Sequence, residues 1–377
     1  MPLKRQPAVI GCAIRPAIAG RARSLEEIMY DIGQAALADA GLSIEDIDGI
    51  VVGANDQFDG RAISVMMASG PLGGVDRDIL STPSASEHAF AMGALRVASG
   101  QHRTQLIAAW SPVEVNSMPE AQRLGTDPYY HRHLPLDELS AHALQASAIE
   151  HAVPGAREAA FRVAEKNRAH GAMAYYDPPV KPAGGPMRWP ITPTMTTEPV
   201  CGAVAMVLAT EDFVAERNCP APAWLRGLGW ATDAAYLGDR DLARAPALEE
   251  AARQAYESAG VGPEAINIAE IADATPYAEL LAWEACGFAP RAEWEAAARD
   301  RRFAYGGVRP INLSGGVLTF NPVFCTGLIR IAEIANQVRG RAGRHQHPGA
   351  RLGLAAAGSG FAMQYQSVAI LGREARA

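Results

Sequence analysis

With 377 residues, 49% of them hydrophobic and only 20% charged, the chain can bury a large core and has little charge to spread over its surface, so part of the apolar excess is available for a subunit interface. A net charge of −7 argues against a nucleic-acid surface, and Arg301-Arg302 and the basic run Arg339 to Arg344 are too short to reverse it. No apolar run reaches the roughly 20 residues needed to span a bilayer, and Met1 to Gln6 opens onto a strand rather than a signal sequence. The expectation is a soluble, cytoplasmic protein.

In chain order, Ala8 to Ile14 is a short apolar run suited to a buried strand. Ser24 with Glu27 fits a capping box that opens an alanine-rich helix ending at Ala40-Gly41, and Gly49 to Gly53 is the next strand, giving a βαβ start. Ile79 to Ser84 leads into a helix from about Ser86 to Ser99, followed by a buried strand at Leu106 to Trp110. Residues 113–200 differ in kind: helical segments at 135–152 and 156–170 precede prolines at 178, 179, 182, 186, 190, 193 and 199, which block continuous helix or sheet. This stretch reads as an insertion or lid that includes Tyr175 and Tyr176, and lids carry specificity. Beyond it the pattern predicts a helix over 248–259, a strand over 266–273, a helix over 277–286, a strand near Pro310 to Asn312, a helix over 322–338, and strands at Leu352 to Ala357 and Gln364 to Leu371.

The second half echoes the first. Ser24-Leu25-Glu26-Glu27, an alanine-rich helix, Ala40-Gly41 and Ile44-Glu45-Asp46-Ile47-Asp48 are matched by Leu248-Glu249-Glu250, a second such helix, Ala259-Gly260 and Pro263-Glu264-Ala265-Ile266-Asn267. The Glu-Glu start and Gly stop lie 15 residues apart in the first copy and 11 in the second, about one helical turn of difference. A period above roughly 200 residues is too long for a solenoid and points to a duplicated half with a pseudo-twofold axis. The halves are set at 1–222, including the lid at about 113–200, and 223–377. Five cysteines (Cys12, Cys201, Cys219, Cys286, Cys325) are scattered, with no Cys-x-x-Cys pair, so neither disulfides nor a metal site is indicated.

Several segments, in order over nearly the full length, resemble the thiolase superfamily, in particular its sterol-carrier-protein-type members. They are Ile47 to Gly53, Val163-Ala164-Glu165-Lys166-Asn167-Arg168-Ala169-His170, Gly202 to Leu208, Glu279 to Gly287, and above all Asn312-Leu313-Ser314-Gly315-Gly316 with Cys325-Thr326-Gly327. The resemblance implies an α/β fold of αβαβα layers, built from two βαβαβαββ halves with a loop domain inserted in the first. It also implies an acyl-CoA substrate, with coenzyme A entering as part of the substrate and no permanently bound cofactor, a homodimer, and a separate zinc-ribbon/OB-fold partner protein of the kind used by atypical members.

The family's reactive side chains are replaced. Its nucleophilic cysteine, in a Cys-Ala-Ser/Thr-Gly setting, falls on Ser84 in Ser84-Ala85-Ser86-Glu87; its first histidine falls on Ala272, its second on Asn321, and its late cysteine at about Gly358. A serine hydroxyl needs an adjacent base, and His88, four residues on, is positioned to supply one; the alternative is Ser84 as a helix cap beside a packing His88. Elements able to hold a thioester oxygen are better kept: the Asn321 amide, and the backbone N–H groups around Gly358-Ser359-Gly360. A thioester enolate needs such a hole but no covalent nucleophile. The resulting expectation is retro-aldol cleavage of a 3-hydroxyacyl-CoA in steroid, bile-acid or aromatic breakdown, similar to the side-chain aldolases of this fold. Asp273, in a loop after an apolar strand, and Tyr277, at the next helix start, are the candidate bases, each with a structural alternative as cap or core-edge aromatic. His170 reads as a structural helix-end residue. The competing expectations are an acyltransferase using Ser84 and a non-catalytic acyl-CoA-binding or scaffold subunit.

Overall fold

The computed structural model describes residues 5–16, 23–60, 62–111, 118–174 and 188–376. Its elements run β1 (Pro7–Pro16), α1 (Leu25–Ala40), β2 (Gly49–Gly53), α2 (Asp56–Asp59), α3 (Ser64–Ser69), β3 (Asp78–Thr82), α4 (Ser86–Ser99), β4 (Thr104–Ser111), α5 (Met118–Leu124), α6 (Glu138–Ala152), α7 (Ala156–Ala174), β5 (Gly202–Thr210), α8 (Glu211–Glu216), β6 (Ala223–Thr232), α9 (Pro246–Ala259), β7 (Ile268–Ile271), α10 (Pro276–Ala285), α11 (Trp294–Arg299), α12 (Thr326–Arg339), β8 (Leu352–Ser359) and β9 (Tyr365–Gly372).

The nine strands are ordered β3-β2-β4-β5-β1-β6-β9-β8-β7. Read outward from the β1–β6 junction, the two sides match. β4 and β5 pair antiparallel as β8 and β9 do, and β2 and β4 pair parallel as β7 and β8 do. The outermost position, β3 on one side, shrinks on the other to a single parallel bridge between Ala269 and Ile311, where the sequence predicts a strand. Pro310 lacks an N–H to extend the ladder, and Asn312 has a left-handed φ of 55° that turns the chain away.

The repeated helices α1 and α9 end on Gly41 and Gly260, each with φ of 69°. Ser24 caps α1 with its hydroxyl on the Glu27 N–H at 3.2 Å while the Glu27 carboxylate accepts from the Ser24 N–H at 2.9 Å, the reciprocal box the sequence announced. α1 has 16 residues and α9 has 14, because α9 begins at Pro246, upstream of its Glu-Glu pair; the copies differ by two residues rather than a full turn. Both helices sit close on a bulged strand. The register shifts between Val9 and Gly11 in β1 and between Leu225 and Gly227 in β6. A Cβ on Gly11 would be driven into the Ala36 carbonyl of α1, and one on Gly227 into the Ala255 carbonyl of α9.

Strands buried on both faces divide their side chains by parity. In β5, Ala203, Ala205 and Val207 pack outward with Ile32 and Leu37 of α1, whereas Val204, Met206 and Leu208 pack inward with Phe90 of α4 and Leu328 and Ile331 of α12. In β9, Val368 and Ile370 face the helices of the second half, including Ala251 and Ala255 of α9, and Ala369 and Leu371 face α12. α4 and α12 therefore form a central layer shared by both halves, which gives five layers in the order αβαβα. At roughly 1.5–3 kcal/mol for each fully buried Leu, Ile or Phe, this shared layer is a main source of cohesion between the halves.

α6 and α7 occupy the helical segments expected in the insertion, with α5 as an additional short helix before them. The prolines at 178, 179, 182 and 186, together with Tyr175 and Tyr176, lie outside the described residues.

Candidate active site

At one end of the sheet, the lead into α4, the loop after β7, the residues before α12 and the turn between β8 and β9 line a single cavity of about 740 Å³. Much of its remaining wall comes from the insertion, through α5, the α5–α6 connection, the start of α6 and residues 188–199, with Asn55, Gln57 and Phe58 at α2 and Ala235 after β6 completing it.

Behind that cavity lies a buried polar frame. Asn312, held at its positive φ, accepts the Ile271 N–H on its side-chain oxygen at 2.6 Å and donates to Glu279 at 2.8 Å. Glu279 also receives Lys166 Nζ at 2.6 Å, Asn167 Nδ2 at 2.6 Å and the Trp283 indole N–H at 3.1 Å. The same Asn167 amide donates to Asp273 at 2.7 Å, and the Val317 N–H donates to the other Asp273 oxygen at 2.5 Å. Next to it, Glu270 pairs with Arg330 at 2.6 Å, both fully buried, and Ser314 donates to Glu270 at 2.6 Å. The two glycines of the Asn-Leu-Ser-Gly-Gly motif have φ of 90° and 68°, and a Cβ on Gly316 would be driven into the Asp273 carboxyl. The motif is thus a scaffold that carries the chain from the edge of β7 to the cavity.

Asp273 is 0% exposed and does not line the cavity. Burial, and then the neighbouring Glu279, raises its carboxyl above the usual range, the direction the sequence suggested, but both its oxygens are engaged in the frame. Tyr277 is also buried off the cavity and donates its hydroxyl to Glu150, with burial and that carboxylate raising the phenol's pKa. Each is held by an element packed against it: Asp273, in the loop after β7, by Asn167 of α7 and the Val317 N–H, and Tyr277, near the start of α10, by Glu150 of α6. His170 is buried too. Its Nδ1 meets the Asn312 carbonyl at 3.0 Å and its Nε2 accepts the Tyr305 N–H at 3.0 Å, while burial, assisted by Lys166, lowers its pKa to about 4.

The other candidates come together at the cavity. Asn321 lines it half-buried; its carbonyl accepts the Val200 N–H at 3.0 Å, and among the described residues nothing takes up its side-chain amide. Gly358, Ser359 and Gly360 line it where β8 ends and Gly360 turns with φ of 72°. Ser84 is exposed at the rim, its Oγ 2.7 Å from His88 Nδ1, and the His88 ring stands edge-on to Tyr365. Among the described residues no carboxylate pairs with His88. Ala85, not Ser84, is the N-cap of α4, and no cysteine is among the cavity's described lining residues.

Three further side chains escaped the sequence reading. Glu138, the first residue of α6, lines the cavity, accepts the Ala362 N–H at 3.1 Å and stands 3.1 Å from His142 Nε2. The i,i+4 spacing of Glu138 and His142 was a visible signal. Glu87, 1% exposed, accepts the Ser359 hydroxyl at 2.6 Å, a contact 272 residues apart in sequence that no local pattern announces. No group of three His, Cys, Asp or Glu able to hold a metal occurs among the described residues, and none of the described helices is long and apolar enough to cross a membrane.

Comparison with known proteins places this geometry in context. Residues 229–373 match the family described as thiolase C-terminal domain-like. A stretch of 107 residues, 28% of the chain, is 40% identical to sterol carrier protein 2 of Rattus norvegicus, of which it spans 20%. A stretch of 146 residues is 32% identical to the benzoylsuccinyl-CoA thiolase subunit BbsB of Thauera aromatica and spans 38% of each chain. These matches therefore cover well under two thirds of either relative. Among solved structures, an Ltp2-ChsH2(DUF35) aldolase superposes with a TM-score of 0.80 at 21% identity over 99% of both chains, a likeness of fold.

Proposed function

We propose that this chain, whose residues 229–373 match the thiolase C-terminal domain-like family, handles acyl-CoA thioesters without a covalent acyl intermediate, cleaving a 3-hydroxyacyl-CoA in the retro-aldol sense. The observation that carries the reading is the shared cavity of Asn321 and Gly358-Ser359-Gly360, into which no cysteine of the described residues projects. Donors already fixed in place stabilise charge as it develops on a thioester oxygen, and losing one such donor costs roughly 10²–10³ in rate. The Asn321 amide and the strand-end N–H groups hold the enolate oxygen. The C2–C3 bond then breaks to an acyl-CoA enolate and a ketone or aldehyde. Coenzyme A enters and leaves as part of substrate and product.

The name of the Ltp2-ChsH2(DUF35) aldolase joins two components, which supports a separate partner for this chain, proposed here to be of the zinc-ribbon/OB-fold kind. A homodimer in the cytoplasm completes the proposal, with substrates of the steroid, bile-acid or aromatic side-chain class. The test is incubation with a 3-hydroxyacyl-CoA bearing a tertiary or benzylic alcohol in the presence of such a partner. Release of a carbonyl product is expected, and its absence overturns the reading in favour of a non-catalytic acyl-CoA-binding subunit.

One contact favours a second reading. The 2.7 Å approach of Ser84 Oγ to His88 Nδ1 at the cavity rim is the geometry of a serine acyltransferase. The lack of a carboxylate to orient His88 among the described residues argues the other way, since a catalytic imidazole is ordinarily held by one. An acyl-CoA adduct seen by intact mass, and lost in Ser84→Ala, would decide for acyl transfer.

A further inference from the structure

We propose that Ser359 and Glu87 form the proton relay that takes up the 3-hydroxyl proton, an inference that rests on the retro-aldol reading and names the base it requires. Asp273 and Tyr277 are walled off from the cavity, so the proton has to leave by another route.

Ser359 stands at the end of β8 on the cavity surface, and its hydroxyl hydrogen is committed to Glu87 Oε1 at 2.6 Å. A serine that gives its only hydrogen to a carboxylate presents only lone pairs to whatever approaches from the cavity, so it receives a substrate hydroxyl as an acceptor. Glu87 is the second residue of α4, inside the first turn, where the helix end favours negative charge. Among the described residues no Lys, Arg or His pairs with it, so the serine is its one polar side-chain partner there.

The place of this carboxylate is built rather than accidental. Gly327, the second residue of α12, has no Cβ, and one added there would be driven into the Glu87 carboxylate. Ser86 accepts the Leu328 N–H at 3.1 Å, which pins the start of α4 against the start of α12 and fixes where the carboxylate lies. Where the thiolase pattern has Cys-Ala-Ser/Thr-Gly, this chain has Ser84-Ala85-Ser86-Glu87: the cysteine that would carry an acyl group is gone, and an acid stands three residues later, where the pattern has glycine.

The step balances without a co-reactant. The substrate 3-hydroxyl proton passes to Ser359 Oγ as the Ser359 proton passes to Glu87 Oε1; C3–O becomes a carbonyl, and the C2–C3 bonding pair moves into the thioester enolate held at Asn321. Once the carbonyl product has left, the same two atoms return the proton to C2, which restores serine and carboxylate.

The experiment compares wild type, Glu87→Gln, Ser359→Ala, Ser359→Thr and the double variant Glu87→Gln/Ser359→Ala, each assembled with the partner, in the carbonyl-release assay across pH. Glu87→Gln keeps an acceptor for the Ser359 hydroxyl but no site for a proton. Its kcat is expected to fall about 100-fold with KM nearly unchanged, as for loss of a general base. The acid limb of the wild-type kcat profile should vanish with it. Ser359→Ala should lose as much, the double variant no more than either single, and Ser359→Thr should recover most of the rate. The relay is overturned if Glu87→Gln turns over at the wild-type rate with an unshifted pH profile, or if the two losses multiply. Should Glu87→Gln not fold, Ser359→Ala against Ser359→Thr carries the same decision. An inactive wild type sinks the retro-aldol reading and the relay together, whereas an active wild type matched by Glu87→Gln sinks the relay alone.

Discussion

Two neighbouring groups of polar side chains at the same end of the sheet behave in opposite ways. In the frame behind the 312–317 loop, Asp273, Glu279, Asn167, Lys166 and Asn312 engage one another and the backbone, and none of them lines the cavity. In the cavity wall, the Asn321 amide is unspent and the Ser359 oxygen keeps its lone pairs after donating to Glu87. A buried carboxylate is therefore not a catalytic one on burial alone. What separates the two groups is whether hydrogen-bonding capacity is left over where a ligand can reach it.

The sharpest break in that contrast comes from the frame. Removing the Glu279 carboxylate with Glu279→Ala strands a buried ammonium and two amides, and urea unfolding should register a loss of roughly 3–5 kcal/mol; a loss below about 1 kcal/mol would mean the frame is dispensable. The cavity wall should respond in the opposite sense. Asn321→Ala is expected to reduce carbonyl release about 100-fold while changing the unfolding free energy by no more than about 0.5 kcal/mol, as for a side chain without structural partners. A variant that unfolds easily but still turns over would place Asn321 in the frame instead.

A pH series sharpens the same line. Because His170 has its pKa lowered from 6.5 to about 4 by burial, the unfolded chain binds the extra proton first as the solution is acidified. Its contribution is intact above about pH 6.5 and drains away as pH falls toward 4, on the order of 3 kcal/mol. Asp273, shifted upward, contributes with the opposite sign, so the measurement is the difference between wild type and His170→Gln. That difference should slope between pH 4 and 6.5, and a flat line excludes a buried neutral imidazole. The smallest effect is expected at Tyr277→Phe, which removes a donor from Glu150 and should cost about 1–2 kcal/mol with turnover unaltered; a loss of turnover without a loss of stability would return Tyr277 to the chemistry.

Much of the architecture was legible because it is written locally. Ser24 with Glu27, the glycine stops at 41 and 260, and the apolar runs that became β1, β4 and β5 announce themselves within a few residues. The strand near Pro310 to Asn312 did not survive intact, since a proline and a left-handed asparagine leave room for only one bridge. The site was legible only in part. Asn321 and Gly358 to Gly360 could be placed because they replace residues of a motif, and the structure sets them on one cavity. Asp273 and Glu87 could not be sorted, because the same acidic residue beside an apolar segment becomes a framework member or a cavity partner according to what the other half brings against it. Ser359 meets Glu87 only once α4 and α12 have packed.

The missing side chain at residue 327 ties together two positions that are far apart in the chain. Space for the acid at 87 exists because 327 contributes no side-chain carbon to the helix junction, so neither site is free to drift alone. Among kindred sequences, a bulkier residue at the later position should coincide with a shorter one at the earlier, and the pair offers a two-letter marker for sorting which chains carry an acid where the thiolase pattern has glycine.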